Sequence, residues 1–247
     1  MIHRFDTIDS TNNRAKDMAQ QGAPHGTVLI ARHQTGGRGR LGRSFHSPPG
    51  SGIYLSMILR PSCRPDKLMH LTCAAAVAMC DAIQAATGFR PGIKWTNDLV
   101  WGKRKLGGIL TELGFDGADL SYAVVGVGIN CTQSSEDFPP ELKDMAASLS
   151  MATEKAVDMT RLEEEMIRAL DHMSACLLTE KGSVLQRYRT DCVTLGKEIS
   201  VVCGDLIRHG KALDVDDDGG LTVLFADGSS ETVAFGEVSI RGMYGYL

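Results

Sequence analysis

The stretch GGILTELGFDGADLSYAVVGVGIN, residues 107–130, decides the centre of the fold. Residues 107–113 and 122–129 at its two ends are rich in the apolar side chains that buried strands carry. Asp116-Gly117 between them is a hairpin-turn signal, because aspartate and glycine tolerate the backbone angles of a tight turn. The stretch therefore predicts two adjacent antiparallel strands.

The second of these strands carries Gly126 and Gly128 and ends on Asn130. Glycine weakens a strand, so two glycines in one strand indicate either a bulge before a turn or close approach of a ligand or another backbone. In the second case, Asn130 could hydrogen-bond a ligand at the strand end.

Apolar runs on the N-terminal side predict further strands at 27–31 and 53–59. The apolar residues of 66–87 fall on one face and predict a helix. Ser10-Thr11-Asn12 is typical of a helix start, because each of these side chains can bond free backbone amides, and this helix is expected over 14–21.

On the C-terminal side, residues 133–155 are polar and contain Pro139-Pro140, which predicts an exposed excursion. Thr160 and Glu163 have the spacing of a capping box and predict the start of a helix that continues to Leu177. After residue 196, short strand-like runs separated by Asp-Gly turns predict a small all-β module of roughly 50 residues, barrel-like in its strand spacing. These runs are 198–203, 211–215, 221–225, 231–235 and 237–241.

The composition is that of a globular protein: 247 residues, 43% of them hydrophobic, and a net charge of −4. This charge disfavours a general polyanion binder. The seven cysteines form no C-x-x-C pair, which disfavours zinc and a disulfide framework and favours the reducing cytoplasm. Cys73 and Cys80 are expected in the core. The histidines show no metal-binding spacing. Charged residues interrupt any secretory leader, and no uninterrupted apolar run reaches membrane-spanning length, so no membrane association is expected.

The run GGRGRLGR at 36–43, called here the arginine loop, alternates glycine with arginine. Glycine lets a backbone bend closely around a ligand, and arginine offers a planar set of donors that matches phosphate or carboxylate. The loop predicts either a lid that closes over an anion or a solvated linker that touches nucleic acid loosely. It is not a Walker A loop, because no Gly-Lys-Ser/Thr follows at the required spacing.

Two further clusters could carry chemistry. In KWTND at 94–98, Trp95 is expected in the core, and its polar neighbours either have structural partners or serve a site in which Asp98 holds Mg²⁺. The charge run 103–105 is typical of a solvated face. It leads directly into Gly107-Gly108, however, so a lysine there could reach into a cleft.

Together these pieces resemble the biotin protein ligases. The motifs follow in order over some 120 residues: Ser10-Thr11-Asn12, Gln34 with the arginine loop, KWTNDL (94–99), KLGGIL (105–110) and GVGIN (126–130). The β module adds residues 236–241. Any one motif is weak evidence, whereas five in the right order are specific.

The resemblance implies an α+β fold, in which a mixed sheet flanked by helices, related to class II aminoacyl-tRNA synthetases, is followed by a small SH3-like β-barrel. The expected domains are a catalytic domain at 1–192 and the barrel at 193–247. Because Ser10 lies so close to the start, an N-terminal DNA-binding domain is not expected. The chain is therefore expected to be a monofunctional ligase rather than a repressor.

The resemblance also implies a two-step reaction. Biotin and MgATP give biotinyl-5′-AMP and pyrophosphate, and the biotin then passes to one lysine of a biotin carboxyl carrier domain, such as that of acetyl-CoA carboxylase. Lys105, Arg38 and Asp98 are the implied catalytic residues, with Asp98 also the candidate Mg²⁺ ligand. The implied residues of the biotin and nucleotide sites are Ser10, Thr11, Asn12, Gln34, Gly37, Arg38, Gly39, Arg40, Phe45, Lys94, Asn97, Lys105, Gly108, Gly126, Gly128 and Asn130.

Two positions depart from the family pattern. Thr96 stands where the family usually has proline, which removes a fixed φ but keeps Lys94, Asn97 and Asp98 in register. Phe45 stands where better-known relatives often have tryptophan, and stacking on adenine should survive in weaker form.

Two rival functions stay open at this point. A lipoate ligase shares the chemistry and a related fold, and pocket shape would decide between the two acids. A nucleic-acid-binding module would use the arginine loop and the barrel. The acidic balance and aspartates of the barrel such as Asp205, Asp214, Asp216, Asp217 and Asp218 disfavour DNA or RNA as a partner. The oligomeric state is also open, since an exposed sheet edge could pair two subunits into a homodimer.

Overall fold

The computed structural model describes residues 1–234 and 238–242. Its larger sheet has seven strands in the order β1-β2-β3-β7-β6-β5-β4. Only β1 and β2 are parallel, and every other neighbouring pair is antiparallel. The strands are β1 (Ile2–Ile8), β2 (Thr27–Gln34), β3 (Gly52–Leu59), β4 (Gly92–Lys94), β5 (Asp98–Trp101), β6 (Arg104–Asp116) and β7 (Asp119–Asn130).

The two strands predicted from residues 107–130 lie in the middle of this sheet. β6 and β7 are antiparallel, with Gly107 opposite Ile129 and Asp116 opposite Asp119, as the hairpin signal predicted. β3 pairs with the other edge of β7 from Ala123 to Asn130. Because β7 has neighbours on both sides, its position is fixed by hydrogen bonds along both edges.

Helices cover both faces of the sheet. The helices are α1 (Thr11–Gln20), α2 (Leu71–Thr87), α3 (Leu149–Thr153), α4 (Met159–Cys176) and α5 (Lys181–Asp191). One face carries α2, which is buried along most of its length and forms the main core with strand residues such as Val125, Val127 and Ile129. The other face carries α1, which packs on Leu29, Ile58 and Val124.

A second, five-stranded antiparallel sheet follows, in the order β11-β10-β9-β8-β12. Its strands are β8 (Glu198–Cys203), β9 (Leu206–Val215), β10 (Leu221–Phe225), β11 (Ser230–Val233) and β12 (Val238–Gly242). The predicted α+β class, a mixed sheet with helices followed by a small antiparallel unit, is confirmed. Parts of the last two predicted runs, at residues 235–237, lie outside the described residues.

Several local predictions were wrong. The first strand, β1, was missed, as were β4, β5 and α5. Helix α4 is capped by Asp158, whose side chain accepts from the Arg161 amide, so Thr160 and Glu163 do not form the cap. The segment Pro65–Thr87 is long and apolar enough to cross a membrane by length and composition, which the sequence analysis did not recognise. Most of its apolar window (78%) is buried, as in a core helix.

The segment 133–155 is not the exposed excursion predicted from its polar composition. Phe138, Ala146 and Leu149 are buried. The Lys105 amide donates to the Met145 carbonyl at 2.7 Å, and the Ala147 amide donates to the Lys105 carbonyl at 2.8 Å. The segment therefore docks against the start of β6.

Candidate active site

A cavity of about 770 Å³ opens on the face of the sheet that carries α1. Strand alternation explains its position. In β7, Val125, Val127 and Ile129 pack into the core beneath the other face, whereas Gly126, Gly128 and Asn130 line the cavity. The glycines that seemed out of place in a strand thus lie where the sheet forms the floor of the cavity.

Two neighbouring groups fill the space that side chains would take at these glycines. A Cβ on Gly126 would overlap the side-chain amide of Asn12. A Cβ on Gly128 would lie 2.7 Å from Cε1 of Phe45. The floor is therefore shaped so that α1 and the end of the arginine loop both approach the backbone of β7.

The first turn of α1 is held by tertiary hydrogen bonds rather than by a local cap. Ser10 is the N-cap residue but its side chain makes no capping bond, contrary to the prediction. Instead, Gln34 Oε1 accepts from the Thr11 amide at 2.8 Å and lies 3.1 Å from the Thr11 hydroxyl. The Ser56 hydroxyl lies 2.8 Å from the Thr11 hydroxyl and 2.6 Å from Asn12 Oδ1. This buried network fixes three cavity-lining residues before any ligand binds.

The arginine loop folds as a small hairpin at the cavity rim. The Phe45 amide donates to the Gly37 carbonyl at 2.9 Å, and the Gly39 amide donates to the Arg43 carbonyl at 2.7 Å. At the tip, Leu41 has a positive φ of 57° and is about half exposed. The loop has defined backbone pairing, which disfavours the solvated-linker alternative.

Two arginines of the loop reach the cavity wall from different sides. Arg38 Nη1 donates to Asn13 Oδ1 at 2.8 Å and pairs with the Glu112 carboxylate at 3.1 Å. Arg40 Nη1 donates to Asn97 Oδ1 at 3.2 Å. Burial lowers the pKa of Arg40 below the usual arginine value, and the nearby Asp98 carboxylate opposes this shift.

Lys105 and Asp98 form an ion pair at the start of β6. Lys105 Nζ lies 2.6 Å from Asp98 Oδ1, with 29% and 17% of the two side chains exposed. A Cβ on Gly108 would come within 3.1 Å of the same ammonium group, so this glycine leaves room for the lysine. Lys105 Nζ also lies 5.8 Å from the centre of the Phe45 ring.

The KWTND segment forms another part of the wall. Lys94 and Trp95 are buried, as predicted for Trp95, and Asn97 Nδ2 donates to the Ile109 carbonyl at 3.0 Å. The Trp95 indole donates to the Gly219 carbonyl at 2.9 Å. This bond joins the cavity wall to the turn between β9 and β10 of the second sheet.

The structure brings the predicted site residues together with one exception. All of them line the cavity except Gly37. A Cβ on Gly37 would meet Ser47 Oγ at 2.5 Å and the Phe45 carbonyl still more closely, so this glycine permits the turn into the loop.

Sequence reasoning missed two parts of the site. One is the part of the 133–155 segment that lines the cavity, represented by Phe138, Leu142 and Met145. The other is Glu112, which binds Arg38 from outside the cavity lining. Away from the cavity, the side chains of His172, Cys176 and Glu180 place one potential metal-ligand atom each within 4.8 Å of one another, a spacing of four residues that the sequence analysis did not flag.

The pattern of the biotin/lipoate A/B protein ligase family matches residues 4–130, and that of the biotin protein ligase C-terminal domain matches residues 194–241. The bifunctional ligase/repressor BirA of Bacillus spizizenii is 36% identical over 231 residues, which cover 90% of this chain and 69% of that protein. The biotin–[acetyl-CoA-carboxylase] ligase of Mycobacterium tuberculosis is 33% identical over 244 residues, covering 95% of this chain and 88% of that protein.

Solved structures agree with these sequence matches. The biotin protein ligase from Aquifex aeolicus in complex with biotin and ATP superposes with a TM-score of 0.80 and 27% identity, and the match covers 98% of each chain. The chain therefore belongs to the biotin/lipoate A/B protein ligase family.

Proposed function

We propose that this protein is an ATP-dependent biotin protein ligase. It activates biotin with ATP to biotinyl-5′-AMP and transfers the biotin to a lysine of a biotin carboxyl carrier domain, with release of pyrophosphate and AMP. The observation that carries this function is that one cavity combines a glycine floor, a buried polar network and several cations. The match of residues 194–241 to the biotin ligase C-terminal domain favours biotin over lipoate.

In the first step, a carboxylate oxygen of biotin bonds to the α-phosphorus of ATP, and the bond from that phosphorus to the bridging oxygen of pyrophosphate breaks. Both reactants are anions, so the site must hold them together against repulsion. Lys105, Arg38 and Arg40 carry out this positioning and stabilise the charge that develops at phosphorus. Asp98 holds the Lys105 ammonium at 2.6 Å and so sets its direction.

The remaining predicted residues divide between the two substrates. Ser10, Thr11 and Gln34 offer hydroxyl and amide groups to the polar part of biotin. Phe45 stacks on adenine. Asn130, whose Nδ2 donates to the Ala147 carbonyl at 3.0 Å, contacts the nucleotide through its remaining amide atoms.

The residues present do not favour a Mg²⁺ ion held by Asp98. One oxygen of this carboxylate lies 2.6 Å from the Lys105 ammonium. The other charged side chains of the cavity are mainly lysines and arginines, whereas Mg²⁺ prefers several oxygen ligands. Asp98 as a metal ligand stays a prediction.

In the second step, the amine of the carrier lysine attacks the carbonyl carbon of biotinyl-5′-AMP. An amide bond forms, the bond between that carbon and the phosphate oxygen breaks, and AMP leaves. The arginine loop at the rim limits the access of water to the reactive anhydride until the lysine arrives. No covalent bond to the protein is required.

The location and the carrier partner are also part of this proposal. All seven cysteines are free thiols, which supports a reducing compartment such as the cytoplasm. A carboxylase carrier domain is the acceptor suggested by relatives named for acetyl-CoA carboxylase. The domain limits at 1–192 and 193–247 remain a prediction.

Exchange of labelled pyrophosphate into ATP tests the activation step. We expect exchange that depends on added biotin and is far weaker with lipoate. Transfer is then measured as the mass increase of a purified carrier domain. Exchange that responds to lipoate instead of biotin would assign the cavity to the other acid, and exchange without transfer would contradict the proposed acceptor.

A further inference from the structure

Glu112 lies on β6 beside the cavity but does not line it. Strand alternation places it on the same face as Gly108 and Leu110, both of which do line the cavity. Its side chain is 19% exposed. A nearly buried carboxylate requires compensating donors, so its partners show what it holds.

Three donors from two separate segments meet on this carboxylate. Asn12 Nδ2 donates to Oε2 at 2.9 Å, and Lys16 Nζ donates to Oε1 at 2.8 Å, both from α1. Arg38 Nη1, from the arginine loop, lies 3.1 Å from Oε1 and 3.2 Å from Oε2. Glu112 therefore connects the first turns of α1, the loop and the sheet at one point.

The way Arg38 is held leaves part of its guanidinium available. A guanidinium carries five N–H donors in one plane. The contacts to Asn13 and Glu112 both use Nη1. Among the described residues, Nε and Nη2 of Arg38 make no hydrogen bond, while the side chain lines the cavity. An arginine fixed by one nitrogen has its plane set and can present the other donors to an anion.

The surroundings of Glu112 stabilise its negative charge, as expected for a carboxylate that holds cations in place. Burial raises the pKa of Glu112, but the hydrogen bonds from Lys16 and Asn12 and the positive charge of Arg38 outweigh burial and hold this pKa below the ordinary value. The carboxylate is therefore ionised at neutral pH. Without its charge, Lys16 and Arg38 would repel each other, and the Arg38 side chain would keep only its hydrogen bond to Asn13 among the described residues.

We propose that Glu112 is a positioning residue for biotin activation: it holds Arg38 at the cavity wall through Nη1, so that the other N–H groups of Arg38 meet the anions of the reacting pair. The inference rests on the proposed function, because it assigns Arg38 to that reaction. Glu112 does not line the cavity, so it acts through the side chains that it holds, and among these Arg38 is the one that brings a positive charge into the cavity.

A double-mutant cycle tests this dependence. The four proteins are the wild type, Glu112→Gln, Arg38→Ala and the double variant, and the readout is biotin-dependent adenylate formation, in single turnover for the slow variants. Glutamine keeps the size of the side chain and removes the charge. We expect Glu112→Gln to lower the rate constant at saturating substrates by about tenfold to a hundredfold when Arg38 is present. We expect a change of less than about twofold when Arg38 is alanine.

Glu231→Gln is the matched control, because Glu231 also pairs with an arginine, Arg208, at 2.7 Å but in the second sheet. It should leave adenylate formation unchanged. If Glu112→Gln lowers the rate equally with and without Arg38, Glu112 has only a structural role and the inference is overturned. A wild-type rate in Glu112→Gln overturns it as well.

Two further outcomes can be distinguished from failure of the inference about Glu112. If the wild type itself forms no adenylate from biotin, the proposed function fails, whatever the variants do. If Glu112→Gln does not fold, as judged by its melting temperature, Glu112→Asp takes its place in the cycle. Aspartate keeps the charge but withdraws it by one methylene, and the same dependence on Arg38 is expected. An equal loss in both backgrounds would again overturn the inference.

Discussion

The floor of the cavity and the arginine loop are built in opposite ways. The floor consists of interior strands and the first turn of α1, where Thr11, Ser56 and Gln34 hold one another by hydrogen bonds in buried or nearly buried surroundings. The loop is a hairpin at the rim, with the half-exposed Leu41 at its tip. Its arginines extend from the rim to the rest of the protein, Arg38 to Asn13 and Arg40 to Asn97.

This difference separates two tasks. A ligand that meets preformed, satisfied polar groups loses little free energy to reorganisation of the protein. A loop at the rim, with an exposed tip, can open for substrates and close over a reactive product. The floor is therefore expected to set which acid binds, and the loop to set how long the adenylate survives.

Removing Lys105, the cation on strand β6 of the floor, should have the largest effect. Lys105→Ala is expected to lower biotin-dependent pyrophosphate exchange by roughly two to four orders of magnitude, because a positioned charge near the reacting phosphorus is lost. The matched control is Lys211→Ala, an exposed lysine on β9. Exchange near the wild-type rate in Lys105→Ala would remove this lysine from the chemistry.

The floor itself is tested by Gly126→Ala. The added methyl group would overlap the Asn12 amide, which Ser56 and Glu112 hold in place. We expect the free energy of unfolding to fall by about 1–3 kcal/mol from overpacking. We also expect biotin affinity, measured by calorimetry, to fall by about tenfold to a hundredfold through displacement of Asn12.

Gly182→Ala is the control for the same chemical change. A Cβ there meets nothing within 4 Å, and the residue lies in α5. This variant should be about 0.5–1 kcal/mol more stable, because alanine favours helix more than glycine does. Wild-type stability and affinity in Gly126→Ala would show that the floor is more adaptable than its hydrogen bonds indicate.

The loop is tested without mutation by limited trypsin digestion. Cleavage after Arg40 or Arg43 requires the hairpin to open. Biotin and ATP together should slow that cleavage by about tenfold when the resulting adenylate is present at ten times its dissociation constant. Cleavage after the exposed Lys67, which lies outside the cavity lining, should not change. Equal rates with and without ligands would contradict a lid that orders on binding.

Much of the floor could be predicted from the sequence, whereas the side-chain contacts between distant segments could not. β6 and β7 were predicted because apolar runs flank an Asp-Gly turn, a local signal. β1 was missed because it is an edge strand whose Arg4 and Asp6 are exposed, so no apolar run marks it. The arginine loop was recognised by composition alone, since its glycines and arginines lie next to one another.

The missed parts depend on contacts between distant residues. Glu112 is 74 residues from Arg38 and 100 from Asn12, and nothing around it in the sequence indicates that both converge on it. The helix start at Ser10 looked like a local cap, but Gln34 supplies the acceptor. The 133–155 segment looked solvated because its composition is polar, yet some of its polar residues, such as Gln133 and Ser148, are buried.

The smallest effect is expected at Thr96, a buried residue of the cavity wall. Thr96 is 2% exposed and its hydroxyl has no hydrogen-bond partner among the described residues, although its carbonyl accepts from the Tyr188 hydroxyl at 2.9 Å. A buried hydroxyl without a partner costs about 1–3 kcal/mol, so Thr96→Val should leave the free energy of unfolding unchanged or raise it by about 1 kcal/mol. Urea titration measures this change.

Thr194→Val is the control, because the Thr194 hydroxyl accepts from the Trp95 amide at 2.9 Å and its loss should destabilise the wall. A clear loss of stability in Thr96→Val would mean that the hydroxyl makes a hydrogen bond. The cavity wall at 94–98 would then be held by hydrogen bonds as the floor is.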